Sequence, residues 1–120
     1  MALRAISGAI QLEFDERDHL LKSTAELVTK ILHVNNIGPD QLVSILFTAT
    51  ADITAEFPAQ ALKTLGLGDI PSACFLEMKV IEAMPRIIRV IVNAETEIPR
   101  AELQHVFLRG AEQLAEEVIR

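Results

Sequence analysis

Arg89 interrupts the apolar run Ile87, Ile88, Val90, Ile91, Val92, where a buried strand is expected. Desolvating a cation costs several kcal/mol, so an anion must meet it: either a carboxylate of the protein or an anionic ligand. Glu77, set between Leu76 and Met78, is the obvious carboxylate. Two readings stay open, a structural ion pair with Glu77 and a site cation. Cys74 lies three residues before Glu77, which puts the two on opposite faces of a regular strand. A site shared by both therefore requires a bulge or a strand end between them. As a lone thiol, Cys74 reads better as a small buried hydrophobe than as a nucleophile.

Other catalytic signatures are missing from the sequence: it has no phosphate-binding glycine loop, no cysteine pair, no HExxH and no GxSxG. His19, His33 and His105 are too widely spaced to suggest a metal site and read as surface or packed residues. No metal and no cofactor are expected. The single cysteine allows no internal disulfide, which suits a reducing cytoplasm. With 17 acidic against 11 basic residues, a net charge of -6, the chain would repel nucleic acid. No apolar run reaches the roughly 18 residues of a membrane span, and Arg4 falls early in the first apolar segment, so neither a membrane span nor a signal peptide is expected.

The elements that must position these residues follow from periodicity. Half of the 120 residues are hydrophobic, yet Trp and Tyr are absent and Phe appears five times, so one core of Leu, Ile, Val and Ala is expected in a single domain, 1–120. Residues 3–12 read as a strand with a close backbone approach at Gly8. Leu20, Leu21, Thr24, Leu27, Val28, Ile31 and Leu32 recur at helical spacing, with Lys22, Ser23, Glu26, Thr29 and Lys30 opposite, and Asn35, Asn36 and Gly38-Pro39 end that helix. Residues 42–48 read as a strand buried on both faces and residues 57–65 as a short helix entered through Phe57-Pro58. Strands are predicted at 74–80, 86–93 and 105–108, then a helical tail with Ala111, Leu114, Ala115, Val118 and Ile119 on one face. The long helix should make a βαβ crossover and cover one sheet face, leaving the other exposed unless copies associate.

Six segments carry a resemblance: residues 4–10 (Arg-Ala-Ile-Ser-Gly-Ala-Ile), 47–50 (Phe-Thr-Ala-Thr), 57–61 (Phe-Pro-Ala-Gln-Ala), Cys74 with Glu77, 85–90 (Pro-Arg-Ile-Ile-Arg-Val) and 105–108 (His-Val-Phe-Leu). Their order and spacing resemble the monofunctional trimeric α/β chorismate mutases along nearly the whole chain. The resemblance implies a mixed sheet with covering helices in a pseudo-α/β-barrel homotrimer, with active sites in clefts between subunits. It also implies the rearrangement of chorismate to prephenate, a unimolecular pericyclic step that needs no nucleophile, metal or cofactor, so catalysis comes from holding a compact conformer and stabilising developing charge. By the same match, Arg89 would meet the ether oxygen, and Glu77 and Cys74 the substrate hydroxyl. Phe57 and Ala59 of a neighbouring chain would line the cleft, and Leu114 would close it.

The departures fall at the substrate clamp. Where family members carry an arginine before the first-strand Gly-Ala, this chain has Ser7, and the lysine of Phe-Pro-Ala-Lys-Ala is Gln60. The tyrosine of His-Val-Tyr-Leu is Phe107, and the arginines of the next helix and the tail match Lys63 and Ala115. A dianionic substrate would be under-paired, which predicts weak activity or none. The alternative is a catalytically silent trimeric scaffold, natural or an engineered assembly component, contacting a further protein partner through apolar surface at Phe14, Phe75, Leu76, Ile81 and Ile119.

Overall fold

The computed structural model describes residues 1–115. The helical periodicity is realised as α1 (Arg17–Val34), whose first turn is capped by Glu16: its carboxylate accepts from the amides of Asp18 at 3.0 Å and His19 at 2.7 Å. Leu20, Ser23, Thr24, Leu27, Val28 and Ile31 form its buried face. Asn35 ends the helix and ties it across the fold, donating to the carbonyls of Ile31 and Gln104 at 2.8 Å and accepting from the Gln104 amide at 2.7 Å.

Five strands, β1 (Ala2–Gln11), β2 (Leu42–Ala49), β3 (Ser72–Leu76), β4 (Ile87–Thr96) and β5 (Val106–Leu108), build one sheet in the order β3-β2-β4-β1-β5. β4 runs antiparallel to both β1 and β2, so those two are parallel to each other and α1 is the crossover between them, with β4 inserted in the gap. Two 3-10 turns, at Pro39–Gln41 and Pro58–Gln60, precede β2 and the four-residue helix α2 (Ala61–Thr64).

Alternation along the strands sends Ile6, Ile10, Ile45, Phe47, Ile88, Val90 and Val92 into a core beneath α1. Gly8 lies at the closest approach, since a Cβ there would sit 2.7 Å from the Val106 carbonyl oxygen and 2.8 Å from Ile31 Cδ1. A smaller cluster of Ala9, Ile87, Ala111 and Leu114, with Met84 and Phe107 against it, covers one end of the opposite face.

Two expectations need correction. β2 is fully buried only at Ile45 and Phe47; Ser44, Leu46 and Thr48 are half-buried, because α1 covers a single face. The strand expected over 74–80 stops at Leu76: the amide of Glu77 donates to Ala49 O at 2.9 Å, and β2, its partner, ends there. The described part of the expected helical tail winds as a 3-10 helix over Arg109–Leu114, with Ala115 in α conformation after it and Ala111 and Leu114 buried; Val118 and Ile119 lie outside the described residues. Among the described residues no helix is long and apolar enough to cross a membrane.

Candidate active site

Sheet register assembles a row across the face opposite α1. Arg89 pairs with Ala9 on one side and Thr48 on the other; Thr48 pairs on with Phe75, and Ala9 with Phe107. Arg89 therefore stands over a half-covered sheet face, its side chain 37% exposed and that of Glu77 20%.

The strand end after Leu76 turns Glu77 toward Arg89. Its Oε1 accepts from Arg89 Nε at 2.6 Å and from Thr48 Oγ1 at 2.9 Å. The ion pair anticipated from the sequence is present, and it engages Arg89 through Nε alone; among the described residues nothing bonds the two Nη groups. Those donors are available to a ligand in the cleft that Arg89 and Glu77 line with Met84, Ile87, Gln113 and Leu114. Leu114 is buried in the cluster behind it, beside Ala9 and Ile87. This arrangement can stabilise negative charge developing on an oxygen while a carboxylate fixes the guanidinium plane.

Cys74 lies elsewhere. It pairs with Phe47 on the α1 side of the sheet and packs against that core, as Ala59 does. Burial pushes its thiol up from the usual cysteine range, partly offset by a hydrogen bond with the Ala59 backbone. Cys74 lines a second cleft with Phe57, Pro58, Phe75, Leu76 and the loop over 49–56. Within one chain, then, Phe57, Ala59 and Cys74 form one group and Arg89, Glu77, Phe107 and Leu114 another.

The loop presenting Phe57, itself 66% exposed, is pinned to the start of α1. Asp15 accepts from Thr54 Oγ1 at 2.7 Å, the Thr54 amide at 2.9 Å and the Ala55 amide at 3.0 Å, and Arg17 Nε donates to Glu56 at 3.0 Å. The Thr54 hydroxyl, with the two amides, holds the Asp15 carboxyl below its usual range. The Phe57 amide and Arg17 do the same for Glu56. Gln60 is half-buried at the end of its 3-10 turn and Lys63 is exposed on α2.

Ser7 lies two residues along β1 from Ala9 and faces the same side. Its amide donates to His105 Nδ1 at 2.9 Å, and its Oγ lies 3.1 Å from the same nitrogen. Sequence reasoning gave no role to Thr48 or His105. Both stood inside the segments 47–50 and 105–108 that carried the resemblance, which was the available signal.

The chain matches the family model "Chorismate mutase type I" over residues 3–118. It is 36% identical over 109 residues to the chorismate mutase AroH of Bacillus subtilis (strain 168), covering 90% of this chain and 86% of that protein. To the AroH of Thermus thermophilus it is 36% identical over 113 residues, 93% of each. A solved chorismate mutase from Clostridium thermocellum superposes with a TM-score of 0.90 at 30% identity, covering 92% of this chain and 98% of the other. The five-stranded mixed sheet with α1 on one face is thus the fold of a solved chorismate mutase. The chain belongs to the type I chorismate mutases.

Proposed function

We propose that this chain is a cytoplasmic enzyme of aromatic amino-acid biosynthesis that rearranges chorismate to prephenate, working as a single 120-residue domain in a homotrimer. The observation that carries the reading is Arg89, held by Glu77 through Nε only and half-exposed in the Leu114 cleft. Its Nη groups would meet the ether oxygen as the carbon–oxygen bond breaks, and Glu77 the substrate hydroxyl. The separation of the Phe57, Ala59 and Cys74 group from the Arg89 group supports a site completed by a neighbouring copy. Cys74 then reaches the hydroxyl from that copy as a neutral thiol, together with the flanking Gln60 and Lys63.

The replaced donors set the rate. Ser7, Gln60 and Phe107 each forgo a charge-assisted or hydroxyl bond to a carboxylate, at roughly 1.5 to 3 kcal/mol apiece, so turnover is slow.

A second reading, a silent trimeric scaffold or engineered assembly component, is favoured by these losses and by the exposure of Phe14, Phe75, Leu76 at 74% and Ile81 at 91%, a surface fit for another protein. Binding of a rigid dicarboxylate transition-state analogue, with particle mass, separates the two. A trimer that binds it, gaining affinity in Ser7→Arg/Gln60→Lys/Phe107→Tyr, is the enzyme; a particle larger than a trimer that ignores it is the scaffold.

A further inference from the structure

We propose that Gln11 is a positioning residue for the rearrangement: its carboxamide joins the two walls of the Arg89 cleft and sets their separation. The inference deepens the chorismate mutase reading and rests on it.

The walls come from distant parts of the chain. Residues 82–85, leading into β4, form one, and Gln113 and Leu114, following β5, form the other. Met84 rests against the cluster of Ala9, Ile87, Ala111 and Leu114. Apolar contact of this kind has no direction, so it does not by itself fix the spacing of the walls.

Gln11 supplies the direction. It ends β1 opposite Ile87, two residues beyond Ala9, the partner of Arg89, and so stands about 7 Å along the strand from the row that carries the guanidinium. Its Nε2 donates to the Pro85 carbonyl at 3.0 Å, which holds the first wall. On the other side the chain leaves β5 and turns at Arg109, which has φ 58 and pairs with Glu26 of α1 at 2.7 Å. The turn lays Gly110 over the same carboxamide. A Cβ at position 110 would coincide with Gln11 Oε1 and lie 2.8 Å from its Cδ. Gly110 is not in the left-handed region, so it is the Gln11 amide and not the backbone that asks for glycine there.

Gln11 stands behind the cleft rather than in its lining, and so acts through the walls that it joins. Holding a flexible ether in its compact conformer depends on their spacing, because a misplacement of about 1 Å can cost up to about 100-fold in rate.

The test is chorismate kinetics and thermal melting of the full chain with Gln11→Ala, Gly110→Ala and the two combined. Gln11→Ala removes the strut. Gly110→Ala expels it, and the fold should survive because the methyl displaces the end of a flexible side chain. Each single variant is expected to lower kcat roughly tenfold while KM changes less than about threefold, since the compact geometry is demanded most in the transition state. Each should also lower the melting temperature by no more than about 6 °C, the scale of one hydrogen bond. The double variant should be no slower than either single one, because the methyl then finds no amide to displace. A lowered melting temperature with kcat unchanged in Gln11→Ala makes the bond structural only and overturns the inference, as do rate losses that multiply in the double variant; both leave the mutase reading standing. If the parent shows no turnover, the mutase reading falls, and amide hydrogen exchange decides the strut separately. Gln11→Ala should then speed exchange at Ala83 on one wall and at Leu114 on the other, and unchanged protection at either overturns the inference.

Discussion

Thr48→Val removes one hydroxyl and asks how firmly the sheet holds Glu77. Glu77 Oε1 accepts two bonds, from Arg89 Nε at 2.6 Å and Thr48 Oγ1 at 2.9 Å. A hydrogen bond to a charged acceptor is worth roughly 1.5 to 3 kcal/mol when dry. Glu77 is 20% exposed and retains Arg89, so water makes good part of the loss. About 1 kcal/mol remains, which lowers kcat about fivefold through a less well-fixed guanidinium. The bond exists in the unliganded fold, so its loss should also lower stability by up to about 1 kcal/mol, offset in part because valine suits a half-buried strand. Initial rates of chorismate loss and a thermal melt read the two quantities separately, and Thr48→Ser, which restores the donor, should restore the rate. A kcat within about twofold of the parent, or a rate loss that Thr48→Ser fails to repair, would refute the reasoning.

Gly8→Ala places a methyl 2.7 Å from a backbone oxygen that cannot yield, so overpacking of about 1 to 3 kcal/mol should lower the melting temperature by at least about 5 °C. Asn35→Ala strips three hydrogen bonds from a buried junction between α1 and the approach to β5, and should cost roughly 2 to 3 kcal/mol in urea titration and speed exchange of the Gln104 amide. The Asp15 carboxyl sits below its ordinary 3.8 because Thr54 and Ala55 bond its charged form, so its contribution is complete above that value and is lost as pH falls through the lower folded value. Asp15→Asn should therefore melt below the parent at pH 7 and converge with it in strong acid; a difference that is the same at both pH values would count against the loop anchor.

Local chemistry in the sequence was enough to place α1, the tight spot at Gly8 and the arginine on an apolar strand, because each depends on spacing within a few residues. What escaped depends on partners distant in sequence. Residues 78–80 have strand-like composition, yet β2 ends at Ala49 and offers them no ladder. The apolar run of β2 looks two-sided, but α1 covers one side only. The insertion of β4 between β1 and β2 decides which side chains share a row, and so made Thr48 a neighbour of Arg89 and Glu77, which the periodicity of residues 47–50 does not announce. The same register sends Cys74 to the cleft of Phe57, away from Glu77 three residues later.

The central claim is that Arg89 drives the rearrangement of chorismate, and its most direct test is the decay of chorismate absorbance with the purified chain and with Arg89→Ala, each checked for fold by circular dichroism. The account predicts slow consumption by the parent and a rate at least about 100-fold lower in the variant, the scale for removing a preorganised donor from a developing oxyanion. Equal consumption by both proteins, or none by the parent even with Ser7→Arg, Gln60→Lys and Phe107→Tyr in place, would contradict it.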